Sequence, residues 1–208
     1  GDGSYGIDPE SMGRRAFKNV CLGTLAALDG RSEVDALVDR QFAEGGNMTD
    51  VLAALANLND SDRPERAAAL DAFYETWQGD PLVIDKWFAL QAMSHLPGTL
   101  AAIKELMRHP AYDRRNPNRV RSVVAAFATG NPLHFHAADG GGYAFLADAV
   151  IAIDPMNPQL AARLVTPLGR WRRQDEGRQT LMKAALERIL STPELSKDVF
   201  EIASKSVA

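Results

Sequence analysis

Residues 109–132 read HPAYDRRNPNRVRSVVAAFATGNP, and this stretch decides the fold. Asn116 fits a helix N-cap, and Pro117 fits the first helical position, where a missing N–H costs nothing. Val120, Val123, Val124 and Phe127 then recur at helical spacing. Gly130 supplies the left-handed residue that closes helices, and Pro132 forbids continuation. The charge is unusual. Arg114, Arg115, Arg119 and Arg121 fall within eight positions. A helix N-terminus is already partly positive and favours acidic residues. Arg119 and Arg121 therefore need compensation, from acidic neighbours or from an anionic ligand.

The same punctuation repeats outward. Upstream, Met12, Ala16, Val20, Leu25 and Leu28 form an apolar stripe that ends at Gly30. Ser32 is placed to cap the next helix, whose stripe is Val34, Leu37, Val38 and Phe42. Asn47 or Thr49 caps a third with Val51, Leu52, Leu55 and Leu58. Leu70, Phe73 and Trp77 mark a fourth, and Asp80-Pro81 opens a fifth. Thr99 is placed to cap a sixth. Downstream, Gly140 to Gly142 mark a turn, and Asn157-Pro158 repeats the Asn116-Pro117 signal. Pro167 should kink or end the helix it interrupts. Ser196 caps the last helix. No segment alternates as a strand does. The expected fold class is all-α, with antiparallel helix pairs stacked as a curved, armadillo/HEAT-like superhelix. No linker-like composition divides it, so residues 1–208 are expected to form one domain.

Composition narrows the function classes. Apolar residues make up 46%, enough for a sizeable core, and net charge is −4, from 23 basic and 27 acidic residues. That balance argues against a general nucleic-acid surface. The lone Cys21 cannot form an internal disulfide, which points to a reducing, cytoplasmic compartment. No apolar run approaches the roughly 18 residues of a membrane span, and GDGSYGIDPE lacks the regions of a signal peptide.

Few residues suggest chemistry directly. His134 and His136, with Asp139 nearby, invite a metal reading. However, helical zinc ligands sit three or four residues apart, and no histidine begins an HExxH pattern. Local packing is the better expectation for both. Cys21 lies beside an apolar stripe, as a small buried hydrophobe would. Arg170, Trp171, Arg172 and Arg173 look like a solvated helix end, blunted by Asp175 and Glu176. Arg121 and Arg163 stand near two helix starts and would suit a carboxylate. Composition alone favours pairing with Asp and Glu on adjacent helices.

Several stretches resemble the C-terminal helical domain of the bacterial aminopeptidase N family, zinc-dependent metallopeptidases of the gluzincin class. They are RAFKNVCL (15–22), GNMTD (46–50), DPLVIDKWFALQA (80–92), residues 109–128, NPLHFHAADGGGYAFLAD (131–148), NPQLAARLVTPLGRWRR (157–173) and DVFEIASKSVA (198–208). The resemblance implies a partial C-terminal helical-repeat domain of an enzyme that removes N-terminal amino acids from peptides. In that family the domain caps the active-site chamber, limits substrate access and offers arginines toward the far end of the peptide. On the matching motifs these are Arg121 and Arg163, with Gln159 a neighbour. The implied partners are the catalytic domain of the same parent chain and a peptide substrate. Zinc belongs to the parent enzyme. This segment carries no catalytic residue, zinc ligand or general-base glutamate, so it is expected to be inactive alone. Two alternatives are a free-standing helical-repeat interaction module and a hydrolase built on His134 and His136.

Overall fold

The structure, a computed structural model, describes residues 5–28 and 31–208. The stop expected at Gly30 lies outside the described residues. Among those described, the chain is helical throughout with no strand. It divides into two compact units, Gly1–Gly79 and Asp80–Ala208.

The first unit holds α1 (Pro9–Ala26), α2 (Ser32–Glu44), α3 (Met48–Asn59) and α4 (Glu65–Trp77). Asp8 and Asn47 cap α1 and α3, accepting from Ser11 N at 2.9 Å and Asp50 N at 3.0 Å. The cap of α2 falls one residue earlier than expected, at Arg31, with no side-chain bond. Val34, Val38, Leu55, Leu58, Leu70 and Phe73 form the core. The stripe expected to bury α1 does not. Met12 is 55% exposed, Val20 66%, and Phe17 between them 73%. Ser11, Arg15, Asn19 and Leu22 turn inward instead. The cause is Asp50, a buried carboxylate on α3. Lys18 Nζ donates to it at 2.5 Å, Asn19 Nδ2 at 3.0 Å and Asn47 Nδ2 at 3.0 Å. A buried charge must be paired and hydrogen-bonded, so it draws the polar side of α1 inward. Burial pushes its pKa up, but these bonds outweigh that and hold the carboxyl below its ordinary value.

The second unit contains α5 (Pro81–Ala92), α6 (Thr99–Leu106) and a helix in three parts: α7 (Pro117–Val120), a π-helical turn (Arg121–Ala125) and α8 (Ala126–Gly130). Then follow α9 (Pro132–Phe135), α10 (Gly141–Ile153), α11 (Pro158–Val165), a 3-10 segment (Leu168–Arg173), α12 (Glu176–Leu190) and α13 (Lys197–Val207). Asn116, Asn131, Asn157, Asp175 and Ser196 all cap as their side chains allow. At α6 the cap is Gly98 in a left-handed conformation, and Thr99 turns inward to donate to Ser94 and Leu96 carbonyls. Aromatic rings cluster within the unit's aliphatic core. Phe127 meets Phe145 at 5.5 Å between ring centroids, and Phe135 meets Tyr143 at 5.3 Å, both edge to face. Gly142 allows this approach, since a Cβ there would lie 2.4 Å from the Phe135 carbonyl oxygen. Pro167 acts as expected: α11 stops at Val165 and resumes as 3-10 turns. No helix among the described residues is long and apolar enough to cross a membrane.

Candidate functional site

The two arginines that open the central helix have different fates. Arg119 is buried. Its Nη1 lies 2.8 Å from Asp85 Oδ1, and its guanidinium stands 4.8 Å from the Phe88 ring centroid. Neither atom of that pair has a hydrogen-bond partner, so the contact is an ion pair outside hydrogen-bond geometry. Acidic compensation thus answers the charge question for Arg119. Arg121 is exposed at the start of the π turn. Its Nη1 donates to Asn118 Oδ1 at 3.1 Å, a neutral partner one turn back. The π turn was not legible in the sequence. Such turns widen the helix locally and recur at functional sites.

Arg163 and Gln159 lie one turn apart on α11, both exposed. The two helices face each other across a cavity of about 90 Å³. Ala125, Ala128 and Thr129 line it from one helix. Arg163, Leu164, Thr166, Pro167 and Arg170 line it from the other side. Arg121 and Gln159 do not line the cavity, and no hydrogen bond or ion pair among the described residues links them to Arg163. Arg170, which the sequence presents as part of a solvated helix end, lines the same cavity as Arg163. It follows Arg163 by seven positions, a helical signal that Pro167 hides. Among the described residues, no carboxylate lies in ion-pair reach of Arg121, Arg163 or Arg170.

The remaining candidates resolve locally. His134 Nε2 donates to the His95 carbonyl at 3.0 Å, which fixes its tautomer. His136 Nδ1 sits 2.8 Å from the Tyr143 hydroxyl. Burial, then the Arg178 charge, holds the His136 pKa below 6.5. Asp139 Oδ1 accepts from Gly141 N at 2.9 Å. Among the described residues no group of three His, Cys, Asp or Glu side chains is gathered to hold a metal. Cys21 is half-buried rather than in the core, beside a polar groove of about 850 Å³ in the first unit.

A hollow of about 520 Å³ in the second unit is lined by Met107, Val124 and Ile153 together with Arg114 and Arg115. The Tyr112 hydroxyl is buried there without a partner, and burial pushes its pKa up to about 12.

A family model described as "Domain of unknown function (DUF3458_C) ARM repeats" matches residues 1–208. Aminopeptidase N of Caulobacter vibrioides is 43% identical over 206 residues, 99% of this chain and 24% of that protein. Aminopeptidase N of Escherichia coli is 41% identical over 205 residues, 98% of this chain and 23% of its own length. The chain thus spans about a quarter of these relatives. The crystal structure of Legionella pneumophila aminopeptidase A in complex with aspartic acid superposes with a TM-score of 0.91 at 35% identity. It covers 100% of this chain and 25% of that one. The ARM-repeat description agrees with the all-α, armadillo-like expectation, and the matches bear out the resemblance to aminopeptidase N.

Proposed function

Because the chain belongs to the DUF3458_C family of ARM repeats, we propose that residues 1–208 are the non-catalytic C-terminal helical part of a zinc-dependent aminopeptidase. In this reading the parent enzyme works in the cytoplasm and removes N-terminal amino acids from peptides. Its zinc and catalytic groups sit in another domain of the parent chain, which is this segment's first partner. The helical part caps the chamber, limits which peptides enter and binds the peptide's C-terminal end. Arg121 and Arg163 attract the terminal carboxylate, and Gln159 offers a neutral hydrogen bond beside them.

One observation supports this most. Two arginines on facing helices stay exposed without a carboxylate, while Arg119, two residues from Arg121, is buried against one. A cation left without an internal anion is available to an external one. In the full-length enzyme, Arg121→Ala and Arg163→Ala should each raise KM for short peptides about fivefold. Amino-acid amides, which lack the carboxylate, should change little. Equal effects on both substrate classes would exclude the carboxylate role.

The outward apolar face of α1, with Met12, Phe17 and Val20, favours a second reading: a free-standing interaction module. A pull-down that recovers only the rest of the parent enzyme counts against it.

A further inference from the structure

We infer that Arg163 and Arg170 form a subsite for an acidic side chain of the bound peptide, on the reading above that the peptide's C-terminal end reaches this face. The cavity they share has a small apolar floor of Ala125, Ala128, Leu164 and Pro167. Thr129 and Thr166 add hydroxyls at its wall, and no Asp or Glu lines it. Its volume of about 90 Å³ equals that of roughly three waters. That suits a carboxylate on a stem of one or two methylenes. The floor accepts the stem, and the two guanidiniums meet the charge.

The position of Arg170 is built rather than incidental. Pro167 breaks the helix and starts the 3-10 turns that bring Arg170 to the same cavity as Arg163. The next residue, Trp171, is pinned. Its Nε1 donates to the Ser206 carbonyl at 2.8 Å. Arg172 and Lys183 both stack on its ring, 4.1 and 3.9 Å from the centroid. The backbone that carries Arg170 is therefore held in place while its own side chain stays exposed and unpaired among the described residues. Arg121 does not line this cavity and is left to the terminal carboxylate, Arg170 serves the acidic side chain, and Arg163 is the cation that both anions share.

The test uses the full-length enzyme with Ala-Ala-Glu and Ala-Ala-Gln, which differ only in one charge. The wild type should favour the Glu peptide in kcat/KM by about fivefold. Arg170→Gln should bring that ratio close to one by lowering the Glu peptide alone. Arg170→Lys should keep part of it. A ratio unchanged by Arg170→Gln, or a loss shared equally by both peptides, overturns the subsite. Raising ionic strength from about 0.05 M to about 0.5 M should shrink the wild-type ratio. A salt-insensitive ratio overturns the subsite without relying on any variant. The carboxylate role of Arg121 is scored separately, on peptide against amide. If that contrast fails while the Glu/Gln ratio still depends on Arg170, the fault lies in the broader reading and not in this subsite.

Discussion

Arg63 and Arg163 are both arginines beside a helix, one in each unit, and they are treated in opposite ways. Arg63 is clamped by Asp39, with Nη1 and Nη2 donating at 3.0 and 2.7 Å. Asp35 and Glu65 stand within 3.9 Å as well. Its pKa rises for that reason, with the Asp39 hydrogen bonds the largest cause. Arg163 has no such partner among the described residues and faces a cavity instead. A guanidinium surrounded by carboxylates organises its own unit. One held at a cavity without them contributes little to folding and is free for a ligand.

The comparison can be broken by removing anions, and the largest effect belongs to Asp85. Asp85→Ala leaves Arg119 buried and unpaired, and should cost about 3–5 kcal/mol in denaturant unfolding. A loss below about 1 kcal/mol would mean that Phe88 alone holds the charge.

Asp50→Asn in the first unit should cost about 2 kcal/mol, because Lys18 and Asn19 lose a charged acceptor. The folded pKa of Asp50 lies below 3.8, so its contribution is complete above pH 3.8 and fades as pH falls below it. Wild-type stability should therefore drop more steeply in that acid range than that of Asp50→Asn. Parallel curves would contradict the assignment.

The finest contrast is between the two arginines themselves. Asp39→Ala should destabilise by about 1 kcal/mol, since its ion pair with Arg63 is partly solvated. Arg163→Ala should stay within about 0.5 kcal/mol of the parent in the same assay. Comparable losses from both would show that Arg163 is structural after all.

Legibility followed the range of the physics. The Asn-Pro starts at 116 and 157 depend on side chains bonding their own backbone two or three residues on, and both stand, while Asn131-Pro132, read only as a stop, also opens a short helix. The face that α1 buries depends on Asp50, 32 residues beyond Lys18, and no helical period encodes that. Thr99 was misplaced by one residue because Gly98 takes the left-handed turn and satisfies the start without a side chain. The π turn at Arg121–Ala125 escaped because Val120, Val123, Val124 and Phe127 fit an ordinary helix equally well. Arg121 and Arg163 stand out by their places near two helix starts, and the family resemblance adds Gln159 and the peptide role, whereas Arg170 reads as a solvated helix end until the fold beyond Pro167 brings it to the cavity.

The central claim is that the exposed arginines of the second unit meet the peptide's carboxylate. The most direct measurement is a structure of the full-length enzyme with a non-cleavable tripeptide bound. The account predicts the terminal carboxylate within about 4 Å of the Arg121 or Arg163 guanidinium. A carboxylate turned to solvent, with both arginines unengaged, would contradict it.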